Sequence, residues 1–121
     1  MKKFKQIFSG LEIAYGQYQP GERGTNGKQK GKAFIVRKNV TDDLWKNHLE
    51  GKGPALGIIP ITQSNDCRWG CIDIDEYDLD HLSLIQSIRS FNFPLIVCRS
   101  KSGGAHVFLF TKENISAAVM Q

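Results

Sequence analysis

Between Trp69 and Phe110 the hydrophobic pattern changes period again and again, and this constrains the fold more than any other feature. Trp69 to Asp75 alternates. Leu79, Leu82, Ile85, Ile88 and Phe91 then repeat every three residues, Leu95 to Arg99 is a short apolar run, and Ala105 to Phe110 alternates again. A period near two belongs to a strand and one near 3.6 to a helix. The stretch therefore predicts strand, helix, strand, strand, with the helix ending before Pro94 and Ser100 to Gly104 forming the turn between the last two strands. The class is α+β, a mixed or antiparallel sheet with flanking helices. Its C-terminal part reads as an incomplete RRM-like (ferredoxin-like) β-α-β-β unit.

The first half carries weaker signals. Phe4, Ile7, Phe8 and Leu11 have helical spacing. From Tyr15 to Lys32 periodicity disappears among glycines and cations, which predicts a long flexible basic loop, followed by a strand over 33–37. Thr41 is a good N-cap, with Asp42 and Asp43 in the first turn and Gly51 beyond the last. The helix between them groups Leu44, Trp45, His48 and Leu49. Leu56 to Ile61 is apolar but interrupted by Pro60, hence an edge strand or extended segment. Glu113 to Val119 is expected to begin a helix. At 121 residues the chain is expected to form one domain, 1–121.

Charge is unevenly spread. Residues 1–38 hold nine Lys and Arg against Glu12 and Glu22, whereas residues 66–80 hold six Asp and Glu against Arg68. A basic half beside an acidic cluster suits an enzyme that handles polyanions through metal ions; composition alone favours the plainer reading, a solvated basic surface and an acidic loop. The three cysteines are an odd number and no export signal precedes them, so disulfides are not expected. Cys67 and Cys71, with His81, offer at most a poor zinc set. No apolar run is long enough for a membrane span or a signal peptide, and the expected location is the cytoplasm.

Two constellations carry chemistry. In Gly70-Cys71-Ile72-Asp73-Ile74-Asp75, residues two apart on a strand share a face, so Asp73 and Asp75 project together while Ile72 and Ile74 enter the core. Paired carboxylates repel unless a cation sits between them, and a hard divalent ion serving phosphoryl transfer is the usual occupant. The plainer alternative is a strand end running into an acidic turn, with Asp78 capping the next helix. In Cys98-Arg99-Ser100-Lys101-Ser102-Gly103-Gly104-Ala105-His106, hydroxyls, cations and backbone N–H groups gather in one turn that could cradle phosphate. The alternative there is a plain hairpin whose histidine packs under a neighbour.

Together, an Asp-x-Asp strand, a helix, a strand, a Ser/Gly turn and a strand opening on His resemble the archaeo-eukaryotic primase superfamily of primases and primase-polymerases. The likeness is closest to the primase domain of bacterial conflict systems and phage replication proteins. Tyr15-Gly16, Trp45 and His48-Leu49-Glu50-Gly51 extend it over almost the whole chain. The resemblance implies that Asp73 and Asp75 hold Mg²⁺ or Mn²⁺ and form the catalytic set with His106. It also implies that Ser100, Lys101, Ser102, Gly103, Gly104 and His106 grip a nucleoside triphosphate. Lys101 departs from the family's usual Gly, which makes Ser102 a rival to Ser100, and Arg99 can assist if its side chain faces the site. The basic residues Arg23, Lys28, Lys30 and Lys32 would track a single-stranded DNA template. The implied activity is DNA primase or DNA-directed polymerase, a nucleotidyltransferase working in replication or mobile-element conflict, with a helicase or nuclease in the same chain or operon.

The family's third motif, a later carboxylate, has no match except Glu113, at an expected helix start. The chain is therefore expected to be the N-terminal portion of a longer catalytic domain and to have little activity alone. The main rival is a non-catalytic nucleotide- or single-stranded-nucleic-acid-binding module of the same descent. An RRM-type RNA binder lacks its aromatic strand signature, and a nucleotide cyclase would need carboxylates where Ala105 and His106 stand.

Overall fold

The structure, a computed structural model, describes residues 1–22 and 31–121. These fall into two compact units, Met1–Asp66 and Cys67–Gln121.

The first unit contains α1 (Lys2–Ile7), β1 (Tyr15–Gln19), β2 (Lys32–Val36), α2 (Asp42–Leu49) and β3 (Ala55–Gly57). Its antiparallel sheet has the order β2-β1-β3, with Tyr15 opposite Val36 and Gly16 opposite Gly57. β1 is a correction, because the segment expected to be loop starts as the central strand. Tyr-Gly-Gln-Tyr-Gln has no β-branched residue and alternates too weakly to announce itself; pairing on both sides stabilises it instead. Thr41 caps α2 as expected, its hydroxyl accepting from the Leu44 N–H at 3.4 Å. From the other end of α2, His48 Nδ1 accepts from the Leu56 N–H at 3.2 Å and fastens β3. Trp45 is buried, with Phe4 edge-on to its ring at 6.0 Å, and Lys5 pairs with Asp42 at 2.6 Å. These contacts join α1 to α2, although α1 stops at Ile7, short of Leu11.

The second unit takes up β4 (Asp66–Ile74), whose first residue closes the unit before it. It continues with α3 (His81–Ser90), β5 (Leu95–Arg99), β6 (Ala105–Ser116) and α4 (Ala117–Met120). The sheet order β4-β6-β5 puts the last strand in the middle. β5 and β6 are antiparallel, with Cys98 opposite His106. Thr111 bonds the Arg68 carbonyl while Gly104 abuts that of Ile74, so β4 and β6 also run in opposite directions. Ala105 and Val107 are buried on one face of β6, Cys67 and Trp69 of β4 are buried too, and α3 packs on β5. Asp80, not Asp78, caps α3, accepting from the Ser83 N–H at 3.1 Å and the Ser83 hydroxyl at 2.9 Å. These bonds, the backbone one first, hold the Asp80 carboxyl below its usual range.

Two further expectations need correction. Ile72 is 61 % exposed, because β4 is an edge strand and α3 lies over β5 instead. β6 runs on to Ser116, so Glu113 is a strand residue and α4 starts later than expected. α4 covers Gly70, where a Cβ would stand 2.9 Å from the Met120 sulfur. Among the described residues no helix is long and apolar enough to cross a membrane.

Candidate functional site

The site is assembled at one end of the second unit's sheet. Asp73 is the penultimate residue of β4 and Asp75 the first beyond it; both are exposed. Cys71 and Asp73 share one face of β4, and His106 with Phe108 and Phe110 lines one face of β6. The two motifs meet here: His106 Nε2 lies 3.4 Å from Asp73 Oδ1, with the side chains 46 % and 72 % exposed. The imidazole is held from behind by a row of rings. Phe108 stands edge-on to it at 6.2 Å, Phe110 stacks on Phe108 at 5.8 Å, and Trp69 approaches Phe108 at 6.2 Å. Cys71 reports on the same place, since burial and then the nearby Asp73 charge push its thiol up.

The Ser/Gly turn is closed by its own backbone. The Ser100 N–H donates to the Gly104 carbonyl at 2.9 Å and the Gly103 N–H to the Ser100 carbonyl at 3.2 Å. Those two donors are consumed, and the turn also carries exposed Lys101 and the hydroxyls of Ser100 and Ser102, 3.0 Å apart. The glycines have a use other than close approach to a ligand. A Cβ on Gly104 would overlap the Ile74 carbonyl oxygen. One on Gly103, where φ is +97°, would stand 3.2 Å from the Tyr77 carbonyl oxygen. Glycine at both positions lets the turn lie directly on residues 74–77, beside the acidic pair.

Reasoning from sequence missed His81. Its Nε2 lies 2.9 Å from the Gly104 carbonyl oxygen, and a carbonyl only accepts, so this nitrogen carries the hydrogen. The first residue of α3 thus pins the turn. Its position directly after the capping Asp80 was the one available signal. This contact also weighs against the zinc alternative. Cys67 and Cys71 are four apart on a strand, about 13 Å along the chain, too far to share an ion whose ligands lie roughly 2.0–2.3 Å from it. The cysteines are free, Cys67 buried and the other two exposed.

Arg99 is opposite Ala105 in the β5–β6 register, on the face away from His106, so it does not join the cluster. Lys32 opens β2 in the first unit and is exposed; Arg23, Lys28 and Lys30 lie outside the described residues. Among the described residues no three His, Cys, Asp or Glu side chains converge as a closed metal cage. Two exposed carboxylates nevertheless fit a cation such as Mg²⁺, which takes one or two protein carboxylates and fills its other positions with water and substrate phosphate.

The family model described as "TOTE conflict system, Archaeo-Eukaryotic Primase domain" matches residues 3–121, nearly the whole chain. No curated protein matches it. The likeness expected from the Asp-x-Asp strand and the Ser/Gly/His turn is thus borne out at the level of the family.

Proposed function

The chain belongs to the archaeo-eukaryotic primase domains of TOTE conflict systems, and from that premise we propose that it binds a nucleoside triphosphate for metal-dependent, template-directed nucleotidyl transfer. The observation that carries this reading is the 3.4 Å approach of His106 to Asp73, which joins the two motifs on neighbouring strands. The strand order β4-β6-β5, with α3 between β4 and β5, supports reading the second unit as the β-α-β-β half of a ferredoxin-like fold.

Asp73 and Asp75 would hold Mg²⁺ or Mn²⁺, which would activate the attacking 3′-oxygen and neutralise the departing pyrophosphate. The chain's own residues do the rest. Asp73 orients His106, which presents a ring N–H to a phosphate oxygen. Lys101 gives the triphosphate a point charge, and the Ser100 and Ser102 hydroxyls give it donors. His81 and the two glycines keep that turn against the carboxylates. The template is single-stranded DNA, drawn in by the basic first half and weakened by salt. The protein works in the cytoplasm beside a helicase or nuclease activity of the same system.

The absence of a third converging ligand among the described residues favours one second reading, a non-catalytic module that binds nucleotide or single strands. Primer synthesis on a single-stranded template with Mn²⁺ separates the two. Product that disappears in Asp73→Ala and Asp75→Ala supports catalysis. Nucleotide binding that depends on the same residues, with no product under any condition, supports the module.

A further inference from the structure

We infer that the outer face of the β2-β1-β3 sheet is a platform for the bases of single-stranded nucleic acid, centred on Tyr18. In the register, Gly16 is opposite Ile35 and Gly57, and Tyr18 is opposite Ala33 and Ala55. Directly paired residues share a face, so this face carries those six, and Tyr15, Gln17, Phe34 and Leu56 take the other. Four of the six have no side chain beyond Cβ. The result is a shallow apolar saddle of about 380 Å³, edged by Ile35, 67 % exposed, and Tyr18, 37 % exposed.

Tyr18 is placed unusually. A Cβ at residue 31 would run into its ring, so the ring lies over the residue just before β2, in space that only glycine leaves open. Strand side chains normally stand up from the sheet. A tyrosine resting on backbone, partly open to solvent and beside a floor without side chains, offers what a nucleobase stacks on.

Charge selects the occupant. Residues 15–38 hold six Lys and Arg against Glu22 alone. Arg37 and Lys38, both exposed, follow directly after β2, while Lys32, opposite Gln19, opens β2 on the face of Phe34. An apolar, base-sized floor with two exposed cations just past its β2 strand suits a polyanion whose bases are unpaired; a duplex would hide them. The inference deepens the proposed function by giving the template a resting place, and it rests on that reading only for the strand's identity as template.

The test is fluorescence anisotropy of the full chain with labelled oligothymidylate of about 15 nucleotides, a length on the scale of single-strand sites, and with an abasic oligomer of equal length. Tyr18→Ala and Ala33→Glu should each weaken oligothymidylate binding about tenfold, the scale of one lost base stack, and Tyr18→Phe should retain it. The abasic oligomer should bind wild type weakly and be indifferent to Tyr18→Ala. Circular dichroism confirms folding, and Ala33 is exposed, so Ala33→Glu serves if Tyr18→Ala does not fold. Equal oligothymidylate affinity in wild type and both variants, or an equal loss for both oligomers, overturns the platform. Self-association abolished by Ala33→Glu with oligothymidylate binding unchanged also overturns it, and marks the face as a protein interface. Asp73→Ala should keep oligothymidylate binding, so failure of the nucleotide site shows separately as unchanged nucleotide stabilisation in that variant.

Discussion

Asp73 and His106 face each other across adjacent strands, Oδ1 to Nε2 at 3.4 Å, with the Asp73 side chain mostly and the His106 ring about half in solvent. An exposed pair of this kind contributes about 0–1 kcal/mol to folding. The fold should therefore depend little on it, and the role proposed for the pair is in the nucleotide site. Asp73→Ala and His106→Ala should each change unfolding free energy by less than about 1 kcal/mol, measured by urea denaturation. A loss of several kcal/mol would make the pair a structural device.

The glycines of the turn should behave in the opposite way. Gly104→Ala forces a methyl group into the Ile74 carbonyl, and overpacking of this kind costs about 1–3 kcal/mol. Gly103→Ala adds left-handed strain at φ +97°, about 1 kcal/mol or more. Denaturation midpoints that match wild type would mean the turn does not lie on residues 74–77.

His81→Ala removes the donor to the Gly104 carbonyl and should cost about 1 kcal/mol of stability. It should weaken nucleotide binding as well, although His81 lies outside the two motifs. His81→Gln, which keeps an N–H donor, should recover part of that binding. Nucleotide affinity that is indifferent to both substitutions would separate His81 from the site.

Much of the candidate site's local structure was legible because it depends on local pattern. The alternation around Asp73, the three-residue repeat of α3 and the Ser/Gly turn are encoded within short windows, and β5 falls on Leu95–Arg99 as expected. What was not legible depends on contacts distant in sequence. β1 owes its strand state to β2 and β3. The exposure of Ile72 follows from strand order, and Arg99 is turned away by its register with Ala105. His81 joined the site only once residues 81 and 104 were brought together.

Cys71 provides a spectator of the acidic pair. Burial, then the Asp73 charge, raises its thiol above the usual cysteine range. A raised acid is protonated over a wider span in the folded state, so its contribution to stability is complete below the unfolded pKa and fades as pH rises through the folded one. Alkylation of Cys71 at mildly alkaline pH should be slower than in the unfolded chain, and faster in Asp73→Asn than in wild type. Mn²⁺ should also speed it in wild type by screening Asp73. Mass-spectrometric rates at Cys71 that ignore both changes would place the Asp73 charge elsewhere.

The most direct test of the central claim is thermal unfolding with and without nucleoside triphosphate plus Mn²⁺, compared across wild type, Asp73→Ala and His106→Ala. Ligand at about a hundred times its Kd should stabilise the wild-type chain by roughly 2.7 kcal/mol, a rise of several degrees. The rise should vanish in Asp73→Ala and shrink in His106→Ala. Equal rises in all three proteins would contradict the account, because the nucleotide would then be held by residues other than these.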